Sequence, residues 1–256
     1  LFYRVAVRWD FIKVQIYLGE GGWILPLASK IFDVKPDVSL EEIAEKLKDY
    51  RVVEEREEEG VKFELITEVR DLDLEKNILE GVYSRDKVIL IPQRGKIIPV
   101  IKTTEARIVF RRERGMTLLT VVQEKHFANA VASLLSHQLF LSYRAIVEAR
   151  ISPEIMKAFH ERNPENTKVI YFDDLDIPEV SKLALYGDSV KNSALYEEYL
   201  RHGKIWYIVY QVPNTPYVMG LTRNCVVTSF ARINELDFLD YIFREIHPLI
   251  YESAGR

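Results

Sequence analysis

A single cysteine, Cys225, serves the whole chain, so no internal disulfide can form and no thiolate cage for zinc can assemble. No apolar run approaches the roughly 20 residues that a membrane-spanning helix needs. Residues Leu1 to Leu18 carry Arg4, Arg8, Asp10 and Lys13 at intervals that the apolar core of a signal peptide would not tolerate. Glutamine is scarce, five in 256 residues, and the charge is mostly Glu, Lys and Arg. Such usage accompanies adaptation to heat. These absences lead us to expect a soluble, cytoplasmic protein of thermophile-like composition.

Catalytic signatures are missing as well. The five histidines, His126, His137, His160, His202 and His247, include no pair at the spacing of a zinc-protease helix. Gly19-Glu20-Gly21-Gly22 lacks the lysine and hydroxyl residue of a phosphate-binding loop and the spacing of a dinucleotide fingerprint. Cys225 has no base near it in sequence. The reading therefore leans away from an enzyme.

What is present is a chain with 48% hydrophobic and 29% charged residues, able to bury a sizeable core. Its net charge of −4 hides an asymmetry. From Glu41 to Glu80 there are 15 acidic and 7 basic residues; from Arg85 to Lys125 there are 10 basic and 4 acidic. A block of one sign inside a chain of the other is a better guide to partners than the total.

The hydrophobic period separates a strand-rich first part from a helix-rich second part. Alternation marks strands at Val5 to Trp9 and Val14 to Leu18. Ser39 followed by Glu42 is a capping box for a helix through Leu47. The glutamate-rich stretch Glu54 to Gly60 reads as a hairpin tip. Five short strands follow: Ile78 to Tyr83, Val88 to Ile91, Ile97 to Ile101, Ala106 to Phe110 and Met116 to Val122. Arg85-Asp86, Pro92 to Gly95 and Arg114-Gly115 supply turns among them. Helices are expected over Glu124 to Leu139, from Ser152-Pro153, over Pro178 to Leu185, over Ser193 to His202 and after Asn234. Strands are expected over Lys168 to Phe172, Ile205 to Gln211, Tyr217 to Leu221 and Val226 to Phe230. The fold class is thus α+β with mostly antiparallel sheet, divided into residues 1–145 and 146–256 or continuous as one domain. A shift of 108 residues superposes Leu118 on Val226 and Leu135 on Phe243 without a gap, which would fit a duplicated strand–strand–helix unit.

Three constellations could carry function. The basic block Arg94, Lys96, Lys102, Arg107, Arg111, Arg112 and Arg114 falls on strands and turns. Alternation sets Arg107 and Arg111 opposite Ile108 and Phe110. Such a face could follow the phosphates of DNA or RNA, or the arginines could pair with nearby glutamates, including Glu54 to Glu59. The second constellation, Asp173, Asp174 and Asp176, ends an apolar strand and could hold magnesium for phosphoester hydrolysis. The third, the aromatic strands from Trp206 to Tyr217, could bury against another copy or a partner. The leading expectation is a non-enzymatic, nucleic-acid-associated protein without a cofactor. The magnesium-dependent hydrolase and the oligomeric scaffold stand as alternatives.

Overall fold

The computed structural model describes residues 26–162, 166–187, 190 and 193–256. The strands expected at Val5 to Trp9 and Val14 to Leu18, and the turn Gly19 to Gly22, lie outside them. The chain belongs to the mixed α+β class with antiparallel sheet and forms two compact units. One spans Lys30–Val147; the other comprises Glu148–Arg256 with residues 26–29.

In the first unit the elements are β1 (Leu27–Val34), α1 (Leu40–Leu47), β2 (Arg51–Glu58), β3 (Val61–Glu75), β4 (Ile78–Gln93), β5 (Lys96–Glu113), β6 (Met116–Val122), α2 (Lys125–Phe140) and β7 (Ile146–Glu148). Their sheet runs β2-β3-β4-β5-β6-β1, and β7 pairs with β1. The expected capping box is present: the Ser39 hydroxyl accepts from the Glu42 amide and Glu42 accepts from the Ser39 amide, each at 3.1 Å. Ile43 and Leu47 of α1 and Val131 and Leu135 of α2 then bury against Leu79, Tyr83, Ile108, Phe110 and Leu119 of the sheet. Each such side chain contributes on the order of 1.5–3 kcal/mol of burial.

Three of the two-residue turns that join the strands share one geometry. Glu59-Gly60, Arg94-Gly95 and Arg114-Gly115 all have positive φ at both residues. That is the type I′ geometry, whose twist matches that of the flanking strands and whose second position favours glycine. β2 extends through most of the glutamate-rich stretch, so only Glu59-Gly60 is turn. A register shift between Arg70 and Asp73 bulges β3, with Asp71 at φ 55°. Gly81 accommodates it, since a Cβ there would meet Leu72 Cδ2 at 2.9 Å and the Arg70 carbonyl at 3.2 Å.

Four of the five expected short strands merge into two long ones. The chain runs straight through Arg85-Asp86, which forms no turn, and β4 pairs with β5 without a register shift from Ile78–Arg111 to Gln93–Lys96. Asp86 accepts from the Ile66 amide at 3.0 Å and from the Thr103 hydroxyl at 2.6 Å. Its carboxylate thus serves neighbouring strands instead of closing a turn on its own backbone.

The second unit contains α3 (Pro153–Arg162), β8 (Thr167–Asp173), β9 (Leu183–Tyr186), α4 (Ala194–His202), β10 (Lys204–Gln211), β11 (Val218–Thr222), β12 (Val226–Ser229), α5 (Glu235–Tyr241) and α6 (His247–Ser253). Its strands are ordered β12-β11-β10-β8-β9. Ser152, Ser193 and Asn234 cap their helices by accepting from the Ile155, Tyr196 and Asp237 amides. Pro178 to Leu185 departs from the expected helix. Glu179 has φ 63°, and β9 pairs with β8 through Leu185–Ile170 and Ala184–Tyr171. The apolar spacing is shared by both elements, and strand pairing decides between them. A π turn over Ile242–Ile246 joins α5 to α6, and there the His247 amide reaches the Ile242 carbonyl. Pro248, which lacks an amide, follows at once.

Tyr83 is fully buried, and its hydroxyl has no hydrogen-bond partner among the described residues. Burial pushes its phenol well above the ordinary value. Tyr83→Phe removes an unsatisfied polar atom at nearly constant shape, so urea unfolding should find a gain of about 1 kcal/mol. A comparable loss would show that the hydroxyl is bonded in solution.

Candidate nucleic-acid interface

The pairing pattern of the first unit creates a projecting arm. β3 pairs with β4 only as far as Thr67–Arg85, and β6 meets β5 only from Val122–Arg107 onward. Beyond those points β4 and β5 pair only with each other, through the eight couples from Asp86–Thr103 to Gln93–Lys96. At about 3.4 Å per residue this ribbon extends roughly 25 Å. β3 before Thr67 pairs only with β2, so the same end of the sheet carries a second, separate prong ending at Glu59-Gly60.

The two prongs differ in chemistry. Residues 88–92 and 97–101 of the arm are all apolar, and Leu90, Ile91, Ile97, Ile98 and Ile101 are 37% to 63% exposed. Lys87 and Lys102 face one another at its base; Arg94 and Lys96 stand at its tip. No acidic residue lies between Lys87 and Lys102. The other prong, Glu54 to Glu64, carries six glutamates against Arg56 and Lys62.

Register divides the arm into two faces. Val88, Leu90, Pro92, Ile97, Pro99 and Ile101 share one; Ile89, Ile91, Ile98 and Val100 share the other, bracketed by Lys87–Lys102 and Gln93–Lys96. In a two-residue hairpin the couple flanking the turn exchanges hydrogen bonds, and the sites then alternate. Pro92 and Pro99 therefore occupy non-bonded sites, where an amide would point outward. Each removes a donor from one outer edge, which makes both edges poor templates for another strand.

The seven basic residues singled out by sequence separate into two sets. Arg107 pairs with Glu80 at 3.1 Å and Arg111 with Glu113 at 2.7 Å. Arg112 reaches Asp37 at 2.6 Å and the Val38 carbonyl at 2.5 Å. Arg114 lies in the β5–β6 turn. For the first three the ion-pair expectation applies, although the acceptors are Glu80, Glu113 and Asp37 and not Glu54 to Glu59. Arg94, Lys96 and Lys102 are on the arm, where neither they nor Lys87 makes an ion pair among the described residues. Lys87 and the ten apolar neighbours are what the sequence reading missed. The near-palindromic order of Lys87, five apolar residues, a turn, five apolar residues and Lys102 was the available signal.

At the end of β8, Asp173 and Asp174 are engaged by cations and Asp176 by a histidine. Arg223 approaches Asp173 at 2.5 Å and Asp174 at 3.7 Å; Lys204 lies 3.6 Å from Asp174, and His202 Nδ1 lies 2.8 Å from Asp176. Burial raises the Asp173 carboxyl above its ordinary value even though the Arg223 charge works against the rise. Among the described residues, no three His, Cys, Asp or Glu side chains converge as a metal-ligand set. Of the aromatic strands, Tyr207 and Tyr210 are buried, and the Tyr210 and Tyr241 hydroxyls are hydrogen-bonded. Tyr207 lies over Gly220, where a Cβ would come within 2.5 Å of its hydroxyl. Trp206 is half-buried beneath Lys182, whose ammonium is 4.8 Å from the ring centroid.

Neither protein-family models nor curated protein sequences match this chain. Among the described residues no helix is long and apolar enough to cross a membrane.

The two sets of cations should respond oppositely to mutation. Arg112→Ala removes the bond to the Val38 carbonyl and should lower stability by about 1 kcal/mol in chemical denaturation. Arg94→Glu, at an exposed turn, should leave it within about 0.5 kcal/mol. Equal losses would contradict this division.

Proposed function

We propose that the protein is a non-enzymatic, nucleic-acid-associated protein that grips its ligand with the β4–β5 arm. The observation that carries this reading is the set Lys87, Arg94, Lys96 and Lys102, four exposed cations without an ion-pair partner among the described residues. Unpaired cations can neutralise phosphates and release condensed counterions, while paired ones must first give up their carboxylates. The acidic prong beside the arm adds orientation, since it repels the polyanion that the arm attracts.

The competing reading, a magnesium-dependent phosphoester hydrolase on Asp173, Asp174 and Asp176, would first have to displace Arg223, Lys204 and His202. An oligomer built through Trp206 to Tyr217 has Tyr207 and Tyr210 committed to the interior. A duplicated strand–strand–helix unit also stays a proposal. It is supported by β6 leading into α2 as β12 leads into α5, and the helices differ in length.

The test is a salt titration of binding to DNA and RNA, single- and double-stranded. Four phosphate contacts on a duplex give a log–log slope near −3.6, from about −0.9 per phosphate. Arg94→Glu with Lys96→Glu should flatten that slope by about 2 and weaken binding at constant salt. An unchanged slope and affinity would reject the arm as the site.

A further inference from the structure

Resting on that reading, we infer that the arm's ligand is the minor groove of double-stranded DNA, with Pro92 and Ile97 acting as an apolar wedge at a base step. The composition and register of the arm select this ligand from among polyanions and apolar partners.

Single strands are bound by stacking their bases on aromatic rings. Residues 87–102 include no aromatic side chain, so the arm offers a single strand its charge and little else. Duplex RNA presents a wide, shallow minor groove lined with 2′-hydroxyls. The apolar side chains on both faces of the ribbon, Val88 to Pro92 and Ile97 to Ile101, would meet those hydroxyls without a single donor or acceptor. The B-form minor groove is narrow, about 6 Å across and 7.5 Å deep, and its walls are deoxyribose rings that lack the hydroxyl. Aliphatic side chains suit such walls.

The spacing of charge agrees with this. Lys96 and Lys102 are six residues apart along an extended strand, about 20 Å. The cations thus stand at the two ends of the apolar stretch, where they can reach backbone phosphates while the middle of the ribbon lies against sugars.

Two other occupants fit less well. A strand from a second copy would pair along an edge of the arm, and Pro92 and Pro99 remove an outward donor from each edge. A lipid bilayer would be entered tip first, and the tip is Gln93, Arg94, Gly95 and Lys96.

The wedge follows from the tip itself. Ile97 is 63% exposed, more than any other residue among the arm's exposed aliphatics. It sits directly opposite Pro92, one couple behind the turn that carries Arg94. A ribbon of two strands, about 4.8 Å apart before side chains are added, cannot enter a 6 Å groove without widening it. Proteins that widen this groove use Ile, Leu, Met, Phe or Pro to part a base step and bend the duplex.

The experiment uses the full chain and four probes of one sequence, about 30 nucleotides long: duplex DNA, duplex RNA and the two single strands. The duplex DNA carries a fluorophore pair at its ends to report bending. We expect duplex DNA to bind at least about tenfold tighter than the other three, with energy transfer rising on binding. Pro92→Ser with Ile97→Ser should keep the salt slope, because it removes no charge, and should lose the rise in transfer. A melting temperature within a few degrees of the parent's certifies that this variant folds.

Equal or tighter binding to duplex RNA or to a single strand would overturn the inference and leave the nucleic-acid reading standing. Undiminished bending by the double-serine variant would remove the wedge in the same way. Failure to bind any of the four probes would overturn both. So would light scattering or sedimentation with anionic vesicles that detects self-association or lipid capture depending on Ile97 while DNA binding does not.

Discussion

The hydrogen bond from the Ile66 amide to the Asp86 carboxylate marks the point at which the sheet of the first unit divides, and what lies beyond depends on it. Proximal to that bond, β3, β4, β5 and β6 share one ladder and bury Leu79, Tyr83, Ile108 and Phe110 under α1 and α2. Distal to it each hairpin is on its own. A two-stranded ribbon is marginal in isolation; here it is anchored by continuous strands that enter the core. Asp86 satisfies a backbone donor that would otherwise lose its partner at the fork, and it holds Thr103 across the same couple.

Charge follows the same division. Near the body of the sheet, Arg107, Arg111 and Arg112 are neutralised by Glu80, Glu113 and Asp37. Beyond the fork, one prong carries basic and no acidic residues, and the other carries six glutamates against Arg56 and Lys62. Pairs at the surface such as Arg112–Asp37 contribute about 0–1 kcal/mol each, so fold stability alone gives little reason for the distribution of charge beyond the fork. The apolar character of the arm has no reason in stability either, because Leu90, Ile97 and Ile101 are exposed. Under the proposed function the ligand would cover this surface, and the prolines make its edges poor templates for another strand.

Local chemistry made much of this fold legible. The Ser39–Glu42 capping box, Ser152 before Pro153, Asn234 and the turns at Arg94-Gly95 and Arg114-Gly115 are short-range signals that act through neighbouring amides or backbone φ. Long-range pairing was not legible. β1 has Ser29 and Lys30 followed by Ile31 and Phe32, which breaks the period of two, yet it pairs with β6. Lys30 is fully buried there, its ammonium 5.4 Å from the Phe32 ring centroid. Residues 183–186 have apolar spacing compatible with a helix and become β9 only because β8 is available. The arm is the largest case. Arg85-Asp86 has the composition of a turn, and only the register between β4 and β5 reveals one uninterrupted hairpin. The basic block was visible in composition, but which of its members are paired depends on Asp37 and Glu80, distant in sequence.

The most direct measurement is hydrogen exchange of the intact protein with and without a DNA duplex, read peptide by peptide. The account predicts slowed exchange over residues 86–103, with residues 107–114 and 173–176 unchanged. Protection concentrated at either of those two segments, with the arm unaffected, would contradict it.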